Sequence, residues 1–259
     1  MSVICDIIIP TCNLSEKTIV CFERILRYTK NYRIIWIDNG SNDDNLIGIV
    51  DSIARNKINC KNFMLDANLG FVKATNIGLA YSTAPWKVLM NNDVYVTEGW
   101  LDHMIKCAEE NKYDIIGPLT SPNAVSYQGV TNMKKNIRDT IPAWSDYDID
   151  IYANKVRQTM CKDHVHVRNG MVAFFCTLIH ERVVKRIGYL SEEFGIGFGD
   201  DDDYSWRARN NGFRIGIDLG SFVHHEHRST FKSNYSLKDI ANMQRIALEK
   251  HKERKINLK

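Results

Sequence analysis

The amino-acid sequence predicts an α/β domain, a mostly parallel sheet with flanking helices, in one catalytic-sized unit. Short apolar, β-rich runs alternate with segments of helical spacing through the first part of the chain, the pattern of successive βαβ units. The loops after those apolar runs are all polar and rich in Asn, Asp or Gly, as befits the carboxyl edge of a parallel sheet where ligands bind. The length, 259 residues, is enough for one sizeable core and does not force a second domain.

The elements follow in order. Strands are predicted over 6–9, 33–37, 62–65 and 86–90, with helices over 15–28, 43–55 and 71–81 between them. Ser15 and Asp43 are the expected N-caps. From Gly117 to about Cys161 the period breaks at Pro118, Pro122 and Pro142, predicting loops with a short helix. A strand is predicted over 165–179, a short helix over 181–187, a helix over 200–210 ended by Gly212, and a strand over 213–217. From Ser236 the chain reads as a basic amphipathic helix, with Ile240, Met243, Ile246, Ala247 and Lys250 three to four apart. Residues 1–235 form the expected domain and 236–259 a tail.

Hydrophobic residues at 44% and charged residues at 25% describe a chain that folds on its own and exclude a disordered one. The net charge of +3, from 34 basic and 31 acidic residues, gives no sequence-wide sign of nucleic-acid binding and leaves only a local basic patch open. The N-terminus enters an apolar strand without a charged leader, and no apolar stretch reaches the roughly 18 residues of a membrane span. Seven scattered cysteines do not read as a disulfide framework. A reducing, cytoplasmic compartment is expected.

The chemistry-bearing candidates sit in the polar loops. Asp93 follows the apolar strand ending at Met90. It could ligate a hard divalent ion, which needs only one or two protein carboxylates, or simply occupy a turn. Asp38 follows Ile34-Ile35-Trp36-Ile37 and could accept hydrogen bonds from a base or ribose, or close an Asx-turn before Gly40. Gly40 and Gly70 permit positive φ. The run Asp200-Asp201-Asp202-Asp203 sets four carboxylates side by side, so mutual repulsion raises the pKa of some of them, as a general base requires. A helix N-terminus favours acids through its dipole, which explains one or two. Gly195, Gly197 and Gly199 have the wrong spacing for a dinucleotide fingerprint and fit a flexible loop. His224, His225 and His227 cluster where a folded-back loop would meet a metal. Cys161, His164 and His166 match no zinc spacing.

Taken together, Pro10-Thr11-Cys12-Asn13, Asp38-Asn39-Gly40-Ser41, Asn68-Leu69-Gly70-Phe71 with Asn76 and Gly78, Asn91-Asn92-Asp93 with Gly99-Trp100-Leu101, and 198–207 followed by His224 resemble the inverting family-2 glycosyltransferases of GT-A fold, particularly the rhamnosyltransferase-like branch. The resemblance covers about residues 7 to 225. It implies a Rossmann-like nucleotide-binding half near 1–117 and an acceptor half near 118–235. It also implies a hexosyl- or deoxyhexosyltransferase drawing on a nucleoside diphosphate sugar. Thr11 and Asp38 would contact the nucleoside, and Asn91 and Asn92 would line the ribose and diphosphate. Pro10, Asn13, Asn39, Asn68, Gly70, Lys73 and Asn76 would complete the donor site. Asp93 matches the last acid of the family's Asp-x-Asp element and would hold Mn2+ or Mg2+, with His224 completing the coordination. Asp201 would deprotonate the acceptor hydroxyl for in-line attack, with Asp200 its rival. Two departures stand out: Asn91 replaces the first acid of Asp-x-Asp, and Asp202 stands where an apolar residue is common. The acceptor would be a glycan or lipid-linked hydroxyl. The basic tail, with Lys250, Lys252, Arg254, Lys255 and Lys259, would either meet an anionic membrane or cap the domain or join a dimer. A sugar nucleotidyltransferase lacks support in a glycine-rich basic N-terminal loop, and a non-catalytic donor-binding scaffold is the remaining alternative.

Overall fold

The computed structural model describes residues 3–42, 46–56, 58–121, 128–129, 146–160, 162–169, 171–194, 197–226 and 236–256. The chain runs β1 (Cys5–Thr11), α1 (Ser15–Tyr28), β2 (Tyr32–Asn39), α2 (Leu46–Asn56), β3 (Cys60–Leu65), α3 (Phe71–Tyr81), β4 (Trp86–Met90), β5 (Val94–Val96), α4 (Trp100–Asn111) and β6 (Ile115–Thr120). It continues through α5 (Asp146–Met160), β7 (His164–His166), β8 (Cys176–His180), α6 (Glu181–Ile187), a 3-10 turn (Glu192–Phe194), α7 (Asp200–Asn210), β9 (Ile215–His225) and α8 (Leu237–Ile256).

The strands among the described residues join one 9-stranded sheet, ordered β3-β2-β1-β4-β8-β6-β9-β5, with β7 paired to β9. The ladders β3-β2, β2-β1 and β1-β4 are parallel. Strand β8 enters the middle of the sheet antiparallel to both β4 and β6. Strands β1 and β4 are buried throughout, which is why they read as continuous apolar runs rather than alternating ones. One face of the sheet packs Ile8, Ile35, Ile37 and Leu89 with Val72 and Leu79 of α3. The other packs Ile7, Ile9, Trp36 and Val88 with Phe22 and Ile25 of α1 and Met104 of α4. Each such side chain, fully buried, contributes roughly 1.5–3 kcal/mol. Helix α3 lies close enough to the sheet that a Cβ on Gly78 would come within 2.4 Å of Ile8 Cγ2. At the amino end of β1, buried Asp6 takes a two-pronged ion pair from Arg33 at 2.8 and 2.9 Å and further bonds from Ser82 and the Thr83 and Ala84 amides.

The structure departs from the sequence expectations at definite points. Ser15 is the first helical residue of α1 and not its cap; the N-cap is Leu14, left-handed at φ 59, with no side-chain cap bond. Asp43, Cys161, Gly195 and His227 lie outside the described residues. The expected strand over 165–179 is two short strands, β7 at the sheet edge and β8 at its centre. Between them the backbone bonds to side chains instead of a ladder: Ala173 N–H to Gln128 Oε1 at 2.8 Å and Val172 N–H to Ser205 Oγ at 3.4 Å. Strand β9 is longer than 213–217 and runs to His225 through a register shift opposite Pro118 and Leu119. Buried Asp218 accepts the Gly220 amide there at 2.9 Å and meets His103 Nδ1 at 2.7 Å. The proline-broken region holds β6 through Pro118 and the 15-residue α5. No helix among the described residues is long and apolar enough to cross a membrane.

Candidate active site

Strands β1, β2 and β4 end on one edge of the sheet, and their loops are knitted together by side chains. Thr11 Oγ1 accepts the Trp36 indole N–H at 2.9 Å, which fixes a buried hydroxyl at the end of β1. Asp38 is buried at the end of β2, accepting from the Ser41 hydroxyl and, at 3.3 Å, from the Ser41 amide, a bond three residues on rather than the two of the Asx-turn expected there. The Asn13 amide donates to Ser41 Oγ at 2.8 Å and Asn13 Oδ1 accepts from Asn42 at 3.0 Å. Asn39 donates to Asn68 Oδ1 at 2.8 Å and accepts from Leu69, while Asn68 Oδ1 also accepts from Gly70 at 2.9 Å. Gly40, at φ 69, is required: a Cβ there would lie 2.4 Å from the Ala67 carbonyl carbon. Thus Thr11, Asn13, Asp38, Asn39, Asn68 and Gly70 converge, with Pro10 buried beneath them in β1 and Lys73 exposed on the first turn of α3.

Two expected donor residues point elsewhere. The Asn76 carboxamide is spent on the Leu190 backbone, donating to its carbonyl and accepting from its amide, both at 3.0 Å, and so ties α3 to the chain after α6. Asn92 is buried and donates to Thr18 Oγ1 of α1 at 3.0 Å.

Asp93 lies after β4, 2% exposed, with Oδ1 3.1 Å from His225 Nε2. Asn91 Nδ2 is 3.3 Å from that same nitrogen. The imidazole beside Asp93 is that of His225, and not that of His224, the residue expected there. In the β5-β9 ladder Val94 pairs with His225 and Tyr95 with His224, and successive side chains of a strand face opposite sides. His224 therefore stands beside the Tyr95 ring, 5.9 Å between centroids, while the His225 ring stacks on Phe175 at 5.0 Å. Carboxylate, carboxamide and imidazole meet here, but among the described residues no group of three or more His, Cys, Asp or Glu side chains is placed to hold a metal ion.

The acidic run opens α7 behind Gly197, Phe198 and Gly199, all at positive φ. Asp203 is buried and holds Arg207 at 3.0 Å, and Arg207 in turn donates to the Ile187 and Tyr189 carbonyls; this acid is structural. Asp200 is buried, and loss of solvent followed by repulsion from Asp201 pushes its carboxyl up to about 8. Asp201, partly exposed, is raised less, to about 6, chiefly by desolvation, because the Asp202 and Phe174 amides hydrogen-bond its carboxylate. The two protons belong to one interacting pair. Both carboxyls are raised above the ordinary carboxylate range, and near neutral pH each opposes ionisation of the other. Sequence reasoning missed Phe174 and Phe175. They join the two parts of the site, Phe174 by its amide to Asp201 and Phe175 by its ring on His225 and its carbonyl, which accepts from Asn91 at 2.9 Å.

The polar loops lie at the carboxyl edge of the parallel strands, where open α/β sheets bind their ligands. The family model of glycosyl transferase family 2 matches residues 6–188, and the chain belongs to that family. It is a glycosyltransferase of GT-A fold. Among solved structures it is similar to S. aureus TarS 1–349 (TM-score 0.61, 16% identity, 97% of this chain and 72% of that one). It is also similar to GalNAc-T7 with UDP, GalNAc and Mn2+ (0.63, 15%, 85% and 42%). A third is the mannosyltransferase PcManGT from Pyrobaculum calidifontis with GDP-Man and Mn2+ (0.59, 14%, 87% and 57%). At these identities the likeness is one of fold, and the chain spans about half the length of the last two. A comparison with curated proteins gives no match.

Proposed function

We propose that this protein transfers a sugar from a nucleoside diphosphate sugar to an acceptor hydroxyl with inversion, Asp201 serving as the base. The observation that carries this reading is the pairing of two raised carboxyls at the start of α7, one at about 8 and the other at about 6, tied to the Asp93-His225 pair through the adjacent residues Phe174 and Phe175. A base with a pKa near the operating pH is the efficient one. Direct attack needs no covalent intermediate, and Asp201 takes the acceptor proton as the new glycosidic bond forms and the nucleoside diphosphate leaves.

The remaining residues bind and orient. Asp38 presents carboxylate acceptors that suit the ring N–H of a base such as uracil or guanine, and Thr11 and Asn13 shape the nucleoside seat. Asp93 and His225, with Asn91 beside them, would hold Mn2+ or Mg2+, which would offset charge on the departing diphosphate. With Asn91 in place of an acid, the site holds one charge fewer, and weaker metal dependence is expected. That UDP, UDP-GlcNAc, GDP-Man and Mn2+ accompany the similar structures supports both the donor class and the metal. A glycan or lipid-linked hydroxyl is the proposed acceptor class. A thermal-shift panel of UDP, GDP, UDP-GlcNAc, UDP-GalNAc and GDP-mannose, with and without Mn2+, tests the reading. Stabilisation by one nucleoside diphosphate of about 2–3 kcal/mol at 100 Kd is expected, and no shift with any of them contradicts it.

A further inference from the structure

The turn that presents Asp201 is held from outside by the last helix. Gly197, Phe198 and Gly199 stand at φ 140, 73 and 85. A left-handed conformation is costly for a bulky residue such as Phe198 and persists only where its surroundings fix it. Helix α8 supplies part of those surroundings. A Cβ on Gly199 would lie 3.0 Å from Ala247 Cβ and 3.1 Å from Phe194 Cε1, so the turn is packed closely between α8 and the 3-10 turn, and a methyl group there would have to push one of them back by a few tenths of an ångström. Lys250 Nζ, one helical turn along, lies 2.7 Å from Glu193 and 5.5 Å from the Phe194 ring centroid. Ile246, Ala247 and Lys250 are half-buried along this inner face, while Leu248 and Glu249 face outward.

We propose that α8 is a positioning element of the active site: Ala247 and Lys250 clamp the 197–199 turn and so set where the Asp201 carboxylate meets the acceptor. The tail is thereby part of the catalytic unit. The inference rests on Asp201 being the base, but the clamp itself is measurable without activity. Two amides report on it, Gly197 N–H bonded to the Phe194 carbonyl at 3.2 Å and Asp203 N–H bonded to the Gly199 carbonyl at 2.9 Å.

The test uses Ala247→Phe and Lys250→Ala in the full chain, read by amide hydrogen exchange over 197–204 and by release of UDP from UDP-GlcNAc or GDP from GDP-mannose with Mn2+. Exchange at Gly197 and Asp203 is expected to quicken about tenfold in Ala247→Phe, since local opening sets exchange. The kcat should drop about tenfold with donor KM changed by less than about twofold, because a misplaced base costs rate and not donor binding. Lys250→Ala should lose about threefold, the size of a part-exposed ion pair, and Glu193→Lys with Lys250→Glu should restore it, which a general packing role would not. Unchanged exchange over 197–204 in folded Lys250→Ala and Ala247→Phe overturns the proposal, and if Ala247→Phe fails to fold, Lys250→Ala and the charge swap decide. Full activity in Asp201→Asn alongside quickened exchange in the α8 variants would end the base assignment and leave the clamp standing.

Discussion

Replacing Asp200 with Asn removes an ionisable group from a position where ionisation is opposed by burial and by Asp201. The carboxyl titrates near 3.8 when exposed and is pushed up to about 8 in the fold. Between those values the native state holds a proton that the unfolded chain has released, so stability falls as pH rises through the window. At about 1.4 kcal/mol per unit of displacement, the ceiling at pH 8 is roughly 6 kcal/mol. Sharing with Asp201 and relaxation of the turn reduce the expected gain to about 2 kcal/mol. Asn is nearly isosteric and never charged, so Asp200→Asn should melt about 4–8 °C above the parent at pH 8. The difference should shrink steadily toward pH 4, where the unfolded chain's carboxyl begins to take up its own proton. Melting curves of both proteins at four or five pH values measure it. A constant difference across the range, or a variant less stable at pH 8, refutes the argument that Asp200 is held protonated.

Two further outcomes follow from the site. His225→Ala should weaken Mn2+-dependent stabilisation by nucleoside diphosphate about tenfold or more, whereas His224→Ala should leave the metal response intact, because only His225 faces Asp93; titration of Mn2+ by thermal shift separates the two. Gly40→Ala should lose several kcal/mol of stability or fail to fold, since its Cβ would meet the Ala67 backbone at 2.4 Å in a left-handed position; a melting point equal to the parent's contradicts the required-glycine argument.

The first half of the fold was open to sequence reading because β1, β2 and β4 are apolar on both faces and the helices between them carry clear 3.6-residue spacing. The centre of the sheet was not. Strand β8 finds its partners in 86–90 and 115–116, far away in sequence, and the apolar residues before it are satisfied by Gln128 and Ser205 rather than by a strand. The expected strand stopped at 217, yet β9 continues through Leu219-Gly220-Ser221, where Asp218 accepts the Gly220 amide at the irregularity. In the site, the polar loops at Asn13, Asp38, Asn39 and Asn68 were legible as local turn chemistry. Asn76 and Asn92 looked the same in sequence, and only packing shows their amides turned toward Leu190 and Thr18. The choice between His224 and His225 depends on the register of a three-residue ladder, which no local pattern records. Phe174 and Phe175 were hidden by their own hydrophobicity, which reads as strand core. The acidic run showed that some pKa values would rise, but not that Asp203 is bound to Arg207 or that Asp200 is the more buried of the leading pair.

The central claim, that Asp201 is the base of a glycosyl transfer, is tested most directly by Asp201→Asn, with nucleoside diphosphate release and donor binding measured on the same preparation. The account predicts donor affinity within about twofold of the parent and a rate lower by about a hundredfold or more, the usual contribution of a positioned base. Undiminished release by a folded Asp201→Asn protein would contradict it.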